Sequence, residues 1–258
     1  MKLNILCIGD VVGSEAVAYL SNHLWQKRSE LGAHFCVVNG ENAAPGNGID
    51  VESAKIILAA GADVITSGNH VWQKSGFRSY LNDSENVIRP ANYPAGCPGQ
   101  GYTILDCEGY RVLVINVMGT VFLESLASPF ETVERILERE RGCYDFAILD
   151  VHAEATSEKI ALGRYFDGRI GIVFGTHTHV QTADEQIFPG GTGYITDLGM
   201  TGPDDSILGV KVSCILEKMT LKMPVRFELA EGKITSHGAL FTFDTDLGRC
   251  IDAKRVQF

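Results

Sequence analysis

The chain has 258 residues, of which 45% are hydrophobic, and carries a formal net charge of −10 at pH 7. A chain of this length can bury a sizeable core without a framework of disulfides. Its excess of carboxylates provides no basic face for binding nucleic acid through its phosphates, which argues against a broad nucleic-acid groove.

The cysteine pattern predicts reduced thiols in an intracellular protein, because the seven cysteines are scattered and form no C-x-x-C pair. Residues 1–9 contain one lysine and too short an apolar stretch for a secretory signal. No apolar run approaches the roughly 20 residues that a membrane span requires. We therefore expect a cytoplasmic protein that does not interact with membranes.

Apolar runs alternate with helical patterns along the chain, which predicts a mainly parallel sheet covered by helices. The predicted strands are residues 5–8, 35–38, 64–65, 112–115, 146–149 and 172–174. We expect Ser14 to cap the first helix and Gly32 to end it, and a second helix to run from Asp50 to Gly61.

The second half of the chain continues this alternation and then changes. Ser128-Pro129-Phe130-Glu131 predicts a helix start with a capping box, and Gly142 ends that helix. After residue 203, antiparallel strands are expected over 225–229, 233–239 and 240–243, with a hairpin turn at Glu231-Gly232. Residues 89–103 predict a long loop, and we expect one domain over 1–258 with a small cap or lid around 71–103.

Each predicted strand stops at, or shortly before, a side chain that can bind a metal or transfer a proton. In chain order these side chains are Asp10, Glu41, Asn42, Asn69, His70, Asn116, Asp150, His152, His177 and His179. Because the carboxyl ends of strands in an open α/β sheet border one crevice, these residues are expected to meet there. In isolation Asp10 and His152 have structural explanations as well, a turn and a core position, whereas Glu41 follows a hydrophobic strand directly, where a buried carboxylate is costly unless it is compensated. Their coincidence at strand ends indicates a functional site.

The donors in this set are a mixture of oxygen and nitrogen atoms, which favours transition metals over Mg or Ca. The expected ligands of two metal ions are Asp10, Glu41, Asn42, Asn69, His152, His177 and His179, with Glu41 as the natural bridge. Two divalent or mixed-valence ions would leave a positive centre for a phosphate group. Fe and Mn are the first expectations, Zn, Co and Ni are also compatible, and the ligand spacing does not choose among them.

Three motifs carry a more specific resemblance. They are Ile8-Gly9-Asp10, Gly68-Asn69-His70 and Gly175-Thr176-His177-Thr178-His179. With them the chain resembles the calcineurin-like metallophosphoesterases, and within that superfamily it is similar to the bacterial YmdB-type phosphodiesterases almost end to end. The further segments that support the resemblance are residues 9–13, 39–44, 89–92, 154–159, 175–184 and 197–203.

The resemblance implies an α/β fold, with a metallophosphoesterase-type β-sheet sandwich flanked by helices and an active site at the carboxyl ends of the strands. It also implies a dinuclear centre, described by two groups of ligands. One metal would be surrounded by Asp10, Glu41, Asn42 and His179, and the other by Glu41, Asn69, His152 and His177. His70 would lie beside the substrate, a small phosphodiester or 2′,3′-cyclic nucleotide, and a homo-oligomer is expected on the same ground.

The expected mechanism is an in-line attack on phosphorus by a hydroxide that bridges the two metals, while protonated His70 donates to the departing ribose oxygen. Two alternatives remain open: a phosphomonoesterase or 5′-nucleotidase with the same centre, and a nucleotide-binding regulatory protein with little turnover. A dinucleotide-dependent oxidoreductase is disfavoured because the G-x-G-x-x-G spacing is absent. No G-x-S-x-G elbow indicates a serine hydrolase.

Overall fold

Two β-sheets packed face to face form the centre of the computed structural model, which describes residues 1–258. The strands are β1 (Lys2–Ile8), β2 (Asp10–Val11), β3 (Phe35–Asn39), β4 (Val64–Thr66), β5 (Tyr102–Cys107), β6 (Tyr110–Met118), β7 (Phe146–His152), β8 (Ile172–Thr176), β9 (Gln186–Ile187), β10 (Gly193–Ile195), β11 (Met200–Pro203), β12 (Ile234–Asp244) and β13 (Arg249–Gln257). The helices are α1 (Gly13–Glu30), α2 (Val51–Ala59), α3 (Phe77–Asp83), α4 (Pro129–Arg139), α5 (Thr156–Tyr165) and α6 (Val212–Leu221).

The first sheet has seven strands in the order β2-β11-β12-β1-β3-β4, with β13 paired to β12, and the second has six in the order β5-β6-β7-β8-β10-β9. The six predicted strands lie within β1, β3, β4, β6, β7 and β8. Neighbours among them within each sheet are parallel, whereas β12 runs antiparallel to β1. The expected sandwich flanked by helices is therefore confirmed, and each sheet is mixed in direction.

Three layers of buried apolar side chains hold the two sheets and the helices together. The inner layer joins the sheets through side chains such as Phe35 and Phe174. A second layer packs the first sheet against α1 and α2, and a third packs the second sheet against α4 and α5. The central strands are buried on both faces, which is why they read in the sequence as continuous apolar runs.

Two of the three predicted helix starts are confirmed. The Asp50 side chain accepts a hydrogen bond from Ser53 N at 2.8 Å, and Ser128 Oγ accepts one from Glu131 N at 3.4 Å. The Ser14 cap is wrong, because α1 already begins at Gly13 and Val12 occupies the capping position. Gly13 N instead donates to the Asn42 carbonyl at 2.8 Å, so a tertiary contact replaces the side-chain cap.

The C-terminal hairpin prediction is wrong in its pairing. Residues 225–229 form no strand, and 234–244 are one continuous strand, β12. The backbone of β12 is bonded to β1, β11 and β13, which leaves no free edge along most of its length for the 225–229 segment. No helix of this fold is both long and apolar enough to cross a bilayer.

Candidate metal centre

The predicted site residues come together at the carboxyl ends of strands from both sheets. Asp10 opens β2, Glu41 and Asn42 follow β3, Asn69 and His70 follow β4, His152 ends β7, and His177 and His179 follow β8. Asp10, Glu41 and His152 are fully buried. Such burial of ionisable groups requires compensation by hydrogen bonds, opposite charge or a cation.

His152 Nε2 is the centre of the first group of donor atoms. It lies 3.2 Å from Glu41 Oε2, 3.1 Å from Asn69 Oδ1 and 3.1 Å from His177 Nδ1. Ligand atoms of Glu41, His152 and His177 all lie within 4.8 Å of one another. Four metal-ligating atoms from the ends of four different strands therefore lie close together.

The tautomer of His152 is fixed by the groups behind it. Thr176 Oγ1 donates to Asp150 Oδ1 at 2.7 Å, so it accepts from His152 Nδ1–H at 2.9 Å. Neutral His152 consequently presents the lone pair of Nε2 to the cluster. A proton on Nε2 can serve only one acceptor well, whereas a cation satisfies the surrounding oxygen and nitrogen atoms together, so the residues fit a metal ion.

Asp10 anchors the second group. Its Oδ2 accepts from His177 N at 3.1 Å, but its buried Oδ1 has no hydrogen-bond partner and lies 3.8 Å from His179 Nε2. Asn42 Nδ2 lies 3.4 Å from the same His179 nitrogen and donates to Glu41 Oε1 at 2.9 Å. An orphaned carboxylate oxygen beside an imidazole and an amide fits a second cation, provided that the Asn42 amide turns its oxygen toward it.

The ionisable side chains of the cluster shift one another's pKa values. Burial raises the pKa of Asp10, partly offset by His179 and His152. Burial also opposes ionisation of Glu41, but His152 and His70 outweigh it and hold the pKa of this carboxyl well below its usual value. Burial lowers the pKa of His152, but the Glu41 carboxylate outweighs burial and raises this pKa to about 9. A proton on His152 therefore balances the negative charge of Glu41 in the place of a cation.

His177 behaves in the opposite way. Burial and the neighbouring His152 charge lower the pKa of His177 to about 3. Its ring is thus neutral over the physiological range, which is the form that binds metal ions. Its Nε2 lies 3.1 Å from Glu154 Oε2, a contact that the sequence did not indicate.

His70 lies at the rim of the cluster, with its side chain 27% exposed. Its Nδ1 lies 3.1 Å from Glu41 Oε1, a carboxylate oxygen that can only accept, so Nδ1 carries a hydrogen. With Nδ1 engaged in this way, Nε2 is the ring nitrogen left for a ligand or for a proton transfer.

Asp150 supports the centre from behind and is not among the predicted metal ligands. It is buried, accepts from Thr66 Oγ1 at 2.5 Å and Asn39 Nδ2 at 3.0 Å, and burial raises its pKa to about 6. Through Thr176 it orients His152. The sequence contains Asp150 inside an apolar strand, but only the tertiary contacts reveal which way its carboxylate faces.

A buried ion pair holds the loop that carries His177 and His179. Lys159 Nζ lies 2.7 Å from Asp197 Oδ2, and that oxygen also accepts from Thr178 N at 3.2 Å and Thr178 Oγ1 at 2.8 Å. Both histidines have positive φ angles, 97° and 64°, a conformation that non-glycine residues adopt only when their surroundings enforce it. The ion pair thus links a strained loop to helix α5.

We expect Thr178→Val to weaken metal binding about tenfold, because an outer partner that orients a ligand typically contributes at least that much. Thr178→Ser should restore the affinity, since it restores the hydroxyl bond to Asp197. Manganese titration in competition with a chelator measures both. Thr192→Val is the control. The buried Thr192 hydroxyl donates to the Ile170 carbonyl just before β10 begins, so its loss should lower the stability of the fold without changing metal affinity. Equal metal affinity in Thr178→Val and wild type would contradict this role.

Gly68 lies so close to the side chains of the site that a larger residue would not fit. A Cβ atom here would lie 2.2 Å from both Glu41 Oε2 and His152 Nε2. Gly68→Ala should therefore separate these donors and weaken metal binding by at least about tenfold. Gly76→Ala, where a Cβ meets nothing within 4 Å, is the matched control. Mass spectrometry measures the metal content of both variants. If Gly68→Ala retains as much metal as wild type, the close approach is refuted.

A two-sheet sandwich whose strand ends gather carboxylate, amide and imidazole donors is the arrangement that the resemblance to the metallophosphoesterases implies. Comparison with known proteins specifies the class further. Residues 6–256 match the model of the YmdB-like protein family, so the chain belongs to that family. This confirms the resemblance inferred from the sequence motifs.

Individual relatives agree with this assignment. The chain is 42% identical over 254 residues to a 2′,3′-cyclic-nucleotide 2′-phosphodiesterase of Bacillus subtilis (strain 168), in a match that covers 98% of this chain and 96% of the relative. A hypothetical protein from Thermus thermophilus matches in structure with a TM-score of 0.93 at 39% identity, over 99% of both chains. A Mycoplasma pneumoniae structure described as a novel phosphatase matches with a TM-score of 0.94 at 28% identity, over 100% of this chain and 94% of its own.

Proposed function

We propose that the chain is a phosphodiesterase that holds two transition-metal ions and hydrolyses nucleoside 2′,3′-cyclic phosphates. The observation that carries the proposal is the convergence of Glu41, Asn69 and His177 on His152 Nε2, with His70 at the rim. The name of the Bacillus subtilis relative supports the substrate class, because that protein matches almost the whole chain.

In this proposal the ligands divide into the two groups expected from the sequence. Asp10, Asn42 and His179 with Glu41 would hold one ion, and Asn69, His152 and His177 with Glu41 would hold the other. When bound, two divalent cations supply a water of lowered pKa and offset the charge that develops on the phosphoryl oxygens. The oxygen and nitrogen donors suit Fe or Mn, and also Zn, Co or Ni.

His70 would act as the general acid. Glu41 Oε1 holds its Nδ1 hydrogen, so the ring is fixed in orientation and Nε2 would face the substrate. As water adds to phosphorus and the P–O2′ bond breaks, the proton on Nε2 would pass to the departing ribose oxygen, which leaves a 3′-phosphate. Such donation contributes typically about 10²–10⁴-fold.

We also propose where this activity occurs, the assembly state of the chain and a cap over the site. We place it in the cytoplasm, where seven free cysteines stay reduced, and in a homo-oligomer. Residues 71–103 would form a cap within a single domain. Trp72 in this segment packs edge-on against Tyr93 with ring centroids 5.3 Å apart, just beyond His70.

The test combines metal content with a substrate panel on the same sample. We expect two equivalents of metal, and 2′,3′-cyclic AMP hydrolysed with a kcat/KM at least about tenfold above that for AMP. Faster hydrolysis of AMP would identify a phosphomonoesterase. Saturable binding of the cyclic nucleotide without product, in the presence of Mn or Fe, would identify a regulatory protein, and either outcome would overturn the proposal.

A further inference from the structure

A cavity of about 750 Å³ lies between residues 95–101 and helix α4. None of its 16 lining residues is Asp or Glu, although the chain has 32 acidic residues against 22 lysines and arginines. Three of them are arginines, Arg89, Arg135 and Arg139. None of the eight predicted site residues lines it. The cavity is therefore a basic concavity on an acidic protein, separate from the metal centre.

Helix α4 segregates its charges around this cavity. Positions 132, 135, 136 and 139, which share one face at helical spacing, line it. The acidic residues of α4, Glu131, Glu134 and Glu138, do not line it, and the last two pair with arginines outside the cavity at 2.9 and 2.5 Å. Like charges at Arg135 and Arg139 repel each other at i, i+4, so this arrangement does not stabilise the helix.

Two of the three arginines have no carboxylate partner. The Arg89 side chain donates to the carbonyl oxygens of Pro98 at 3.1 Å, Pro90 at 2.8 Å and Cys97 at 3.5 Å, which uses three of its five N–H groups. Arg89 is only 6% exposed, and burial lowers its pKa. A buried guanidinium without a counter-charge is costly, so an anion would compensate it.

Arg135 also lacks a carboxylate partner, although it is exposed. Its Nε donates to the Glu131 carbonyl at 3.4 Å and its Nη2 to Thr132 Oγ1 at 3.3 Å, both neutral acceptors. Arg139 has one partner, Glu140, with Nε to Oε1 at 3.3 Å, and its side chain is 77% exposed. The cavity thus has two guanidinium groups, those of Arg89 and Arg135, that no carboxylate neutralises.

We infer that this cavity binds the phosphate group of a small phosphate ester, about the size of a nucleoside monophosphate. Guanidinium groups bind phosphate oxygens in paired hydrogen bonds, which explains arginines rather than lysines on the lining. The volume lies within the range of about 300–1,000 Å³ that small-ligand sites occupy. The site is independent of the proposed hydrolysis, and its ligand chemistry would be met by free phosphate or by a nucleotide.

Isothermal titration of the full-length chain tests this. After the metals are removed with a chelator, we expect wild type to bind one inorganic phosphate and one AMP, AMP more tightly, and adenosine more weakly than either. The variant Arg135→Gln/Arg139→Gln should bind both anions at least about tenfold more weakly. Arg141→Gln/Arg169→Gln, which removes two arginines that do not line the cavity, is the control and should bind like wild type.

A second measurement keeps the test decisive if metal removal unfolds the chain. With metals bound, wild type should take up two phosphates and the cavity variant one. The inference is overturned if wild type that stays folded without metals shows no saturable phosphate binding, or if the cavity variant binds like wild type in either measurement. Equal affinity for adenosine and AMP would also overturn it, because arginine cannot then be responsible for binding.

Discussion

Glu41→Gln is expected to lose both metal ions and nearly all activity, with kcat/KM reduced by more than about 100-fold. Outer partners of metal ligands already contribute about 10–100-fold, and Glu41 has one carboxylate oxygen directed to each group of donors. Glutamine keeps the shape and one oxygen but removes the negative charge that offsets two cations. Metal analysis and phosphodiester hydrolysis on the same sample measure the change.

The control for this variant is Glu185→Gln, which changes a largely buried glutamate that pairs with Arg255 at 3.0 Å and is not among the predicted site residues. It should retain both metals and full turnover. If Glu41→Gln keeps two equivalents of metal with wild-type affinity, Glu41 does not bridge the centre. If the variant loses only one metal ion, the group of donors that keeps its ion does not need Glu41 as a ligand.

His70→Ala is expected to reduce turnover of 2′,3′-cyclic AMP by about 10²–10⁴-fold while both metals stay bound. The reason is that the His70 side chain contacts the cluster only through Nδ1, and its backbone N–H bond to Glu41 Oε2 remains in the alanine variant, whereas Nε2 is free to donate to the leaving oxygen. A bis-aryl phosphate has a leaving group that needs no proton, so its hydrolysis should fall much less. Rates on both substrates, with metal content, measure the difference.

His23→Ala provides the matched histidine control, since His23 is exposed on α1 and stacks on Tyr19 with ring centroids 4.2 Å apart. An equal loss on both substrates would mean that His70 positions the substrate and does not act as an acid. Loss of metal in His70→Ala would instead make it part of the metal centre.

The sequence predicted the strands near the site well because their burial on both faces leaves continuous apolar runs. The polar side chains that interrupt these runs, such as Asp10 and His152, mark the strand ends, and a parallel arrangement brings strand ends together. Their convergence followed from topology and did not require knowledge of any distance.

The supporting groups could not be predicted in the same way. Asp150 lies within an apolar strand and Asp197 beyond one, and their roles depend on contacts with Thr176 and Thr178 across 26 and 19 positions of the chain. The pairing of β12 was also missed, because period-2 alternation identifies a strand but not its neighbour. Helix α1 shows the same limit, since a contact with Asn42 replaces the expected Ser14 cap.

Anomalous diffraction from crystals of the manganese-loaded chain tests the central claim most directly. The account predicts two peaks, one within bonding distance of Asp10 Oδ1 and His179 Nε2, and the other within bonding distance of His152 Nε2 and His177 Nδ1, with Glu41 contacting both. Peaks bound to other residues, or a single peak at full occupancy, would contradict it.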